Sequence, residues 1–222
     1  MSIQKKYSGT VVVLATGPSL TQQQVDYVEE AKRLGKCRII TINNAFLMCS
    51  SSDIHIACND NWWDYYWNHP LLLAMKAEKW TRYKHQESYG AKYIDSIVAP
   101  GLSKDPNVIH INKGSGPMAI NFATLYGFDK IILLGHDMKF AADYNGREKK
   151  EGSEPRHFFG EYPKVMQHFP QHKDSVAKDG TLIGLIDAYD GMVKDLEGID
   201  VVNCTPDSRL TTFRMGALEE EL

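Results

Sequence analysis

No stretch of this sequence is apolar for the length that a membrane span requires. Behind Lys5 and Lys6 at the N-terminus there is no apolar segment long enough for a signal peptide, so a cytoplasmic protein is the expectation. An excess of one charge is also missing. The formal net charge is −3, and the only run of three or more like charges is Glu219-Glu220-Glu221. That balance leaves no electrostatic footprint for nucleic acid. Cysteine is scarce: Cys37, Cys49, Cys58 and Cys204 match no metal-knuckle spacing, and Cys37, Cys58 and Cys204 lie in or beside strand-like runs, the pattern of buried free thiols. There is no internal repeat and no linker that would separate one domain from another. The 222 residues are therefore expected to form one α/β domain with a sizeable core.

What is present is a series of short apolar runs between helical patterns. Val11–Leu14, Arg38–Ile42, Ile54–Cys58, Val108–Ile111, Lys130–Leu134 and Asp200–Asn203 read as strands, with Tyr93–Val98 a weaker one. Most are continuous rather than alternating, as strands covered on both faces are. Thr21 can cap a first helix, with Gln24 as its capping-box partner. Further helices are expected over Pro70–Tyr83, Gly116–Tyr126 and Thr181–Leu196. The alternation implies a Rossmann-like, mostly parallel sheet with helices on both faces. Residues 139–178 break it. They are rich in charge, glycine, proline, histidine and aromatics, and read as a long irregular lid insertion.

In parallel sheets ligands bind at the carboxyl ends of strands. Thr16, Gly17 and Ser19 follow the first strand, Asn43 and Asn44 the second, and Asn59 and Asp60 the third. Gly114, Ser115 and Gly116 open a helix, and Gly135, His136 and Asp137 follow the strand ending at Leu134. Strand, small-residue turn and helix start is the geometry that turns backbone N–H groups toward an anion. Gly17 and Gly116 allow close backbone approach to a phosphate or ring. Asn44 and Asn59 carry both donors and acceptors, which suits base and ribose edges, though each also suits a turn that bonds its own backbone. Ser115 can cap its helix and donate to phosphate, and Asp137 can accept from a ribose or sugar hydroxyl. The run Asn61-Trp62-Trp63-Asp64-Tyr65-Tyr66-Trp67 reads as a core or subunit-interface helix, which keeps a homo-oligomer among the expectations, or as a platform that stacks on sugars. Asp60 and Asp64 have the wrong spacing for an Asp-x-Asp metal motif.

The turn GPSL, the asparagines after the next two strands, SGPMAINFATLYGFDKIILLGHDM and the closing VVNCTPDSRLTTF together resemble the bacterial sialyltransferases of glycosyltransferase family 42. The same skeleton occurs in motility-associated proteins, archaeal pterin diphosphokinases and phage proteins, and a phage- or prophage-encoded member is the expectation. The resemblance implies an inverting transfer from a CMP-sugar to a hydroxyl of a glycan or other acceptor, with no further cofactor and no metal. It implies that Thr16, Asn44, Asn59, Ser115, Gly116 and Asp137 contact the nucleotide. Thr16 stands where the family has asparagine, so a side-chain amide is lost. Lys139, with Tyr144, takes the place of the tyrosines that bind the leaving phosphate. His157-Phe158-Phe159-Gly160 matches the family's lid stretch, and the general base falls on Glu161, with His157 as its rival. Two other readings stay open: an ATP-dependent diphosphokinase, and a phage assembly or host-interaction protein that kept the fold without catalysis.

Overall fold

The computed structural model describes residues 2–139, 156–166, 177 and 179–222. Its centre is a sheet of eight parallel strands in the order β10-β9-β8-β1-β2-β3-β4-β5. These are β1 (Thr10–Leu14), β2 (Cys37–Ile42), β3 (Ile54–Ile56), β4 (Glu78–Thr81), β5 (Lys92–Tyr93), β8 (Lys130–Leu134), β9 (Asp200–Asn203) and β10 (Arg214–Met215). A second, two-stranded parallel sheet joins β6 (Asp95–Val98) to β7 (Val108–Ile111). The helices are α1 (Gln22–Arg33), α2 (Asp60–Tyr66), α3 (Pro70–Ala74), α4 (Ser115–Tyr126), α5 (Ile183–Asp190) and α6 (Leu218–Glu221). None of the described helices is long and apolar enough to cross a membrane.

The continuous apolar strands are buried on both faces. Val11 and Val13 of β1, with Ile131 and Leu133 of β8, pack on the side that holds α4 residues Met118, Ile120, Phe122 and Tyr126. Val12, Leu14, Ile132 and Leu134 pack on the other side, against α1 residues Val25, Val28 and Ala31. A third cluster gathers Phe46, Trp62, Trp63, Tyr66, Leu72 and Met75 around α2 and α3. Period-two alternation splits each strand between two helix layers. The Rossmann-like expectation is met.

The chain runs outward from β1 through β2, β3, β4 and β5, then returns to lay β8 on the other side of β1. The strand order reverses between β1 and β8, so their carboxyl ends flank a topological switch point, where such sheets leave a crevice.

Thr21 caps α1 as expected: its side chain accepts from Gln24 N–H, and the Gln24 side chain accepts from Thr21 N–H. Two elements differ from expectation. The helix expected over Pro70–Tyr83 stops at Ala74, and Glu78–Thr81 becomes β4, with Ile54, His55 and Ile56 opposite Glu78, Lys79 and Trp80. Its Glu and Lys favour helix locally, but pairing with β3 and burial of Trp80 outweigh that preference. The helix expected over Thr181–Leu196 is α5 alone, followed by a 3-10 turn at Val193–Asp195; Gly191 stands at its C-cap. Residues 93–98 divide between β5 and β6, and the Val108–Ile111 strand lies in the small sheet.

Glu78 ties β4 to its surroundings. Lys6 and Lys92 both pair with it, and Tyr126 O–H donates to Oε2 at 2.9 Å while accepting from Trp80 Nε1 at 2.8 Å. Burial raises its pKa, but the bonds from Lys6, Lys92 and Tyr126 outweigh that and hold it at about 2, against an ordinary value of 4.5. A depressed carboxyl contributes stability above its unfolded pKa and loses it as pH falls through the folded one. Urea unfolding of wild type and Glu78→Gln should therefore show wild type more stable at neutral pH. The gap should close progressively from pH 4.5 down to about 2.

Candidate functional site

The ladder between β1 and β8 runs on past the strands. Ala15 N–H donates to the Leu134 carbonyl at 2.8 Å and Gly17 N–H to the Gly135 carbonyl at 2.9 Å. This brings the turn after β1 against Asp137. Both carboxylate oxygens of Asp137 serve Ser19: Oδ1 accepts from Ser19 N–H at 3.2 Å and Oδ2 from Ser19 O–H at 2.9 Å. A Cβ on Gly17 would lie 1.7 Å from Asp137 Oδ2 and 2.5 Å from the Gly135 carbonyl, so only glycine fits. Burial raises the Asp137 pKa, with the Ser19 bonds and the Lys139 charge acting the other way.

A second lock holds the start of α4. A Cβ on Gly116 would lie 1.9 Å from Tyr189 O–H and 3.3 Å from His136 Cε1. That tyrosine is 3.1 Å from His136 Nδ1. Burial pushes the His136 pKa down to about 3, so the imidazole is neutral. Thr205 and Ser208 of the closing segment clamp its backbone: His136 N–H donates to Thr205 Oγ1 at 3.0 Å, and Ser208 O–H donates to the His136 carbonyl at 2.6 Å. Ser115 bridges the ends of β2 and β3, donating to Asn43 Oδ1 at 3.2 Å and accepting from Cys58 N–H at 3.3 Å.

The structure thus gathers Thr16, Gly17, Ser19, Ser115, Gly116 and Asp137 at one sheet edge. Asn44 is also there but fully buried, and its carboxamide is committed: Oδ1 accepts from Trp62 Nε1 at 2.7 Å and Nδ2 donates to Tyr66 O–H at 2.8 Å. Asn59 is exposed at the N-cap of α2 and makes no side-chain cap bond. Trp62, Trp63 and Tyr66 are core, while Tyr65 and Trp67 are exposed. The insertion is pinched at its base, where Lys139 bridges Thr181 and Leu182 N–H donates to the Met138 carbonyl at 3.0 Å. Met138 and Asn43 both have positive φ, 52° and 48°. Such backbone is costly for methionine and tolerated by asparagine. Tyr144 lies outside the described residues. His157 Nδ1 is 3.1 Å from Thr16 Oγ1, and burial pushes its pKa down to about 4. Glu161 lies 3.5 Å from Arg156 Nε. Among the described residues no three His, Cys, Asp or Glu side chains gather to hold a metal ion.

Sequence reasoning missed Tyr162, Tyr189, Thr205 and Ser208. Their partners are remote in the chain, and nothing in the neighbourhoods of Tyr162 and Tyr189 marks them as site residues. The closing segment CTPDSRL, already matched to the resembled family, is the signal that could have pointed to Thr205 and Ser208.

No protein-family model matches this chain, and no curated protein matches it either. Among solved structures the chain is similar to the MAf glycosyltransferase from Magnetospirillum magneticum AMB-1, with a TM-score of 0.51 and 14% sequence identity. The shared feature is the fold. The match covers 98% of this chain and 35% of that one, so this chain spans about a third of that protein's length.

The Gly116 lock can be tested by a double-mutant cycle. Gly116→Ala should cost about 1–3 kcal/mol by forcing Tyr189 aside. Tyr189→Phe should cost a similar amount, about 1–3 kcal/mol, by leaving His136 Nδ1 without its partner. The double variant should lose clearly less than the sum of the two, because removing the hydroxyl makes room for the methyl. Denaturant titration of the four proteins measures this.

Proposed function

We propose that this chain is a nucleotide-sugar-dependent glycosyltransferase that uses a CMP-sugar and a hydroxyl acceptor. The observation that carries the reading is the convergence of the Gly17 turn and the start of α4 on the switch point between β1 and β8. The fold similarity to the MAf glycosyltransferase supports it at the level of architecture. The resemblance to the sialyltransferases supplies the donor class.

The contacts already described divide the labour. Asp137 and Asn44 spend their side-chain bonds inside the protein, so their role is to hold the turn and the aromatic cluster in place. Nucleotide phosphate is then met by backbone N–H groups at the α4 start, by Ser115 and by Lys139. In the transfer step the acceptor hydroxyl gives its proton to a base as its oxygen attacks the anomeric carbon. The bond from that carbon to the phosphate oxygen breaks, and Lys139 stabilises the charge that collects on the departing phosphate. His157 is the stronger candidate base. Its ring is neutral, and relief of the burial that lowers its pKa would strengthen it as a base, whereas Glu161 is paired with Arg156.

A thermal-shift panel of CMP, CDP, UDP, ATP and their sugars tests the donor class. Stabilisation by CMP or a CMP-sugar is expected. Stabilisation by ATP with Mg²⁺ alone would point to a diphosphokinase instead, and no shift with any nucleotide would sink both enzymatic readings. In turnover of the CMP-sugar, His157→Ala is expected to lose about a hundredfold or more, the usual range for a general base. Lys139→Ala should also be slowed, and Glu161→Gln much less affected than His157→Ala. A larger loss in Glu161→Gln would move the base to that carboxylate.

A further inference from the structure

Residues 157–162 occupy the ground between the ends of β1 and β2. Phe158 N–H donates to the Thr16 carbonyl at 3.2 Å, and His157 Nδ1 meets Thr16 Oγ1 at 3.1 Å. His157 and Gly160 then bridge each other, with Gly160 N–H donating to the His157 carbonyl at 2.9 Å. This tight reversal uses Gly160 at φ 91°. It brings Tyr162 edge-on to His157 and Phe159, at centroid distances of 5.0 and 4.9 Å. Phe158 packs against the cluster of Val12, Leu14 and Leu20. Tyr162 packs against the cluster of Phe46, Trp62 and Tyr66. One short segment is therefore anchored in two different cores, on either side of the crevice.

The groups around the Tyr162 phenol matter most. They are the Thr16 hydroxyl, the Asn43 side chain and the Asn44 N–H. All three belong to the turns that follow β1 and β2, the edge where the nucleotide is placed above. While the ring is in place, these groups are engaged by the protein's own chain. A cavity of about 490 Å³ lies elsewhere; it borders Ile3, Leu102, Ser103 and Thr124 and so faces the far end of α4 from Ser115.

We propose that residues 157–162 are an internal plug of the nucleotide site: the Tyr162 ring stands where a ligand ring would, and a nucleotide enters only when the segment swings out. This rests on the glycosyltransferase reading and adds its regulation. The plug lowers apparent affinity by the fraction of molecules in which the segment is out. Its hold includes the aromatic packing of His157, Phe159 and Tyr162 and the bonds to Thr16. Outside the crevice His157 also leaves the burial that depresses its pKa, which makes it a better base when donor is bound.

Calorimetric titration of CMP into the full chain, as wild type, Tyr162→Ala and Tyr162→Phe, tests the plug. Tyr162→Ala should bind CMP about tenfold tighter or more, while Tyr162→Phe, which keeps the ring, should stay near wild type. Hydrogen exchange on wild type gives a readout that needs no variant. CMP should speed exchange at residues 157–162 while slowing it at Gly17–Ser19. Binding by wild type with equal or weaker binding by Tyr162→Ala would overturn the plug and leave the nucleotide site standing. Unchanged or slowed exchange at 157–162 would do the same, the slowed case marking a lid that closes over ligand. Failure of CMP to bind wild type and Tyr162→Ala alike would overturn the CMP-donor reading itself, and the plug with it.

Discussion

Asp137 has almost no access to water, and its two oxygens are both bonded to Ser19. A buried carboxylate is tolerable only when its bonding capacity is met. Here it is met by the turn of another strand, so the end of β8 and the end of β1 cannot be placed independently. That contact requires Gly17, since any side chain there would collide with Asp137. It also sets the direction in which the chain leaves β1 toward Thr21 and the start of α1. The closing segment reinforces it from behind: Arg209 N–H donates to the Asp137 carbonyl at 2.9 Å. Three stretches remote in sequence thus meet at one residue, two of them through its carboxylate and the third through its main-chain carbonyl, and the geometry of the switch point follows from that meeting.

The same logic separates residues that build the crevice from residues that are available to a ligand. Asn44 resembles a base-reading residue by position, yet its carboxamide satisfies the indole of Trp62 and the hydroxyl of Tyr66. Leaving either buried group unpaired would cost about 1–3 kcal/mol, which explains an asparagine at this position without any ligand. Ser115 is intermediate. Its hydroxyl spans Asn43 and Cys58, yet the α4 backbone beside it has no side-chain cap. Helix starts of this kind present N–H groups that an anion can satisfy.

Most of the fold was legible because buried parallel strands are written as continuous apolar runs. Val11–Leu14 and Lys130–Leu134 could hardly be anything else. The glycine turns were legible for a related reason, since the steric demand falls on the residue that is missing a side chain. β4 was not legible. Glu78, Lys79 and Thr81 carry no apolar signal, and the strand exists because β3 offers a free edge and Trp80 a buried place. Tyr162 and Tyr189 were invisible for the same reason. Each acts on a turn more than fifty residues away, and no local pattern encodes such a contact.

Thr16 links these strands of reasoning. In the resembled family this position is asparagine, whose amide offers two donors and an acceptor. A threonine hydroxyl offers less, and in this chain it is directed at His157 and Tyr162 from the insertion rather than outward. The shorter, β-branched side chain keeps its hydroxyl close to the backbone, where His157 Nδ1 meets it at 3.1 Å. Thr16 and the inserted segment are therefore complementary: the turn after β1 directs its hydroxyl at its own chain. Under the proposed plug, recognition is divided: a ligand ring reaches the turns after β1 and β2 only once the segment has swung out, and the uncapped α4 start meets the phosphate.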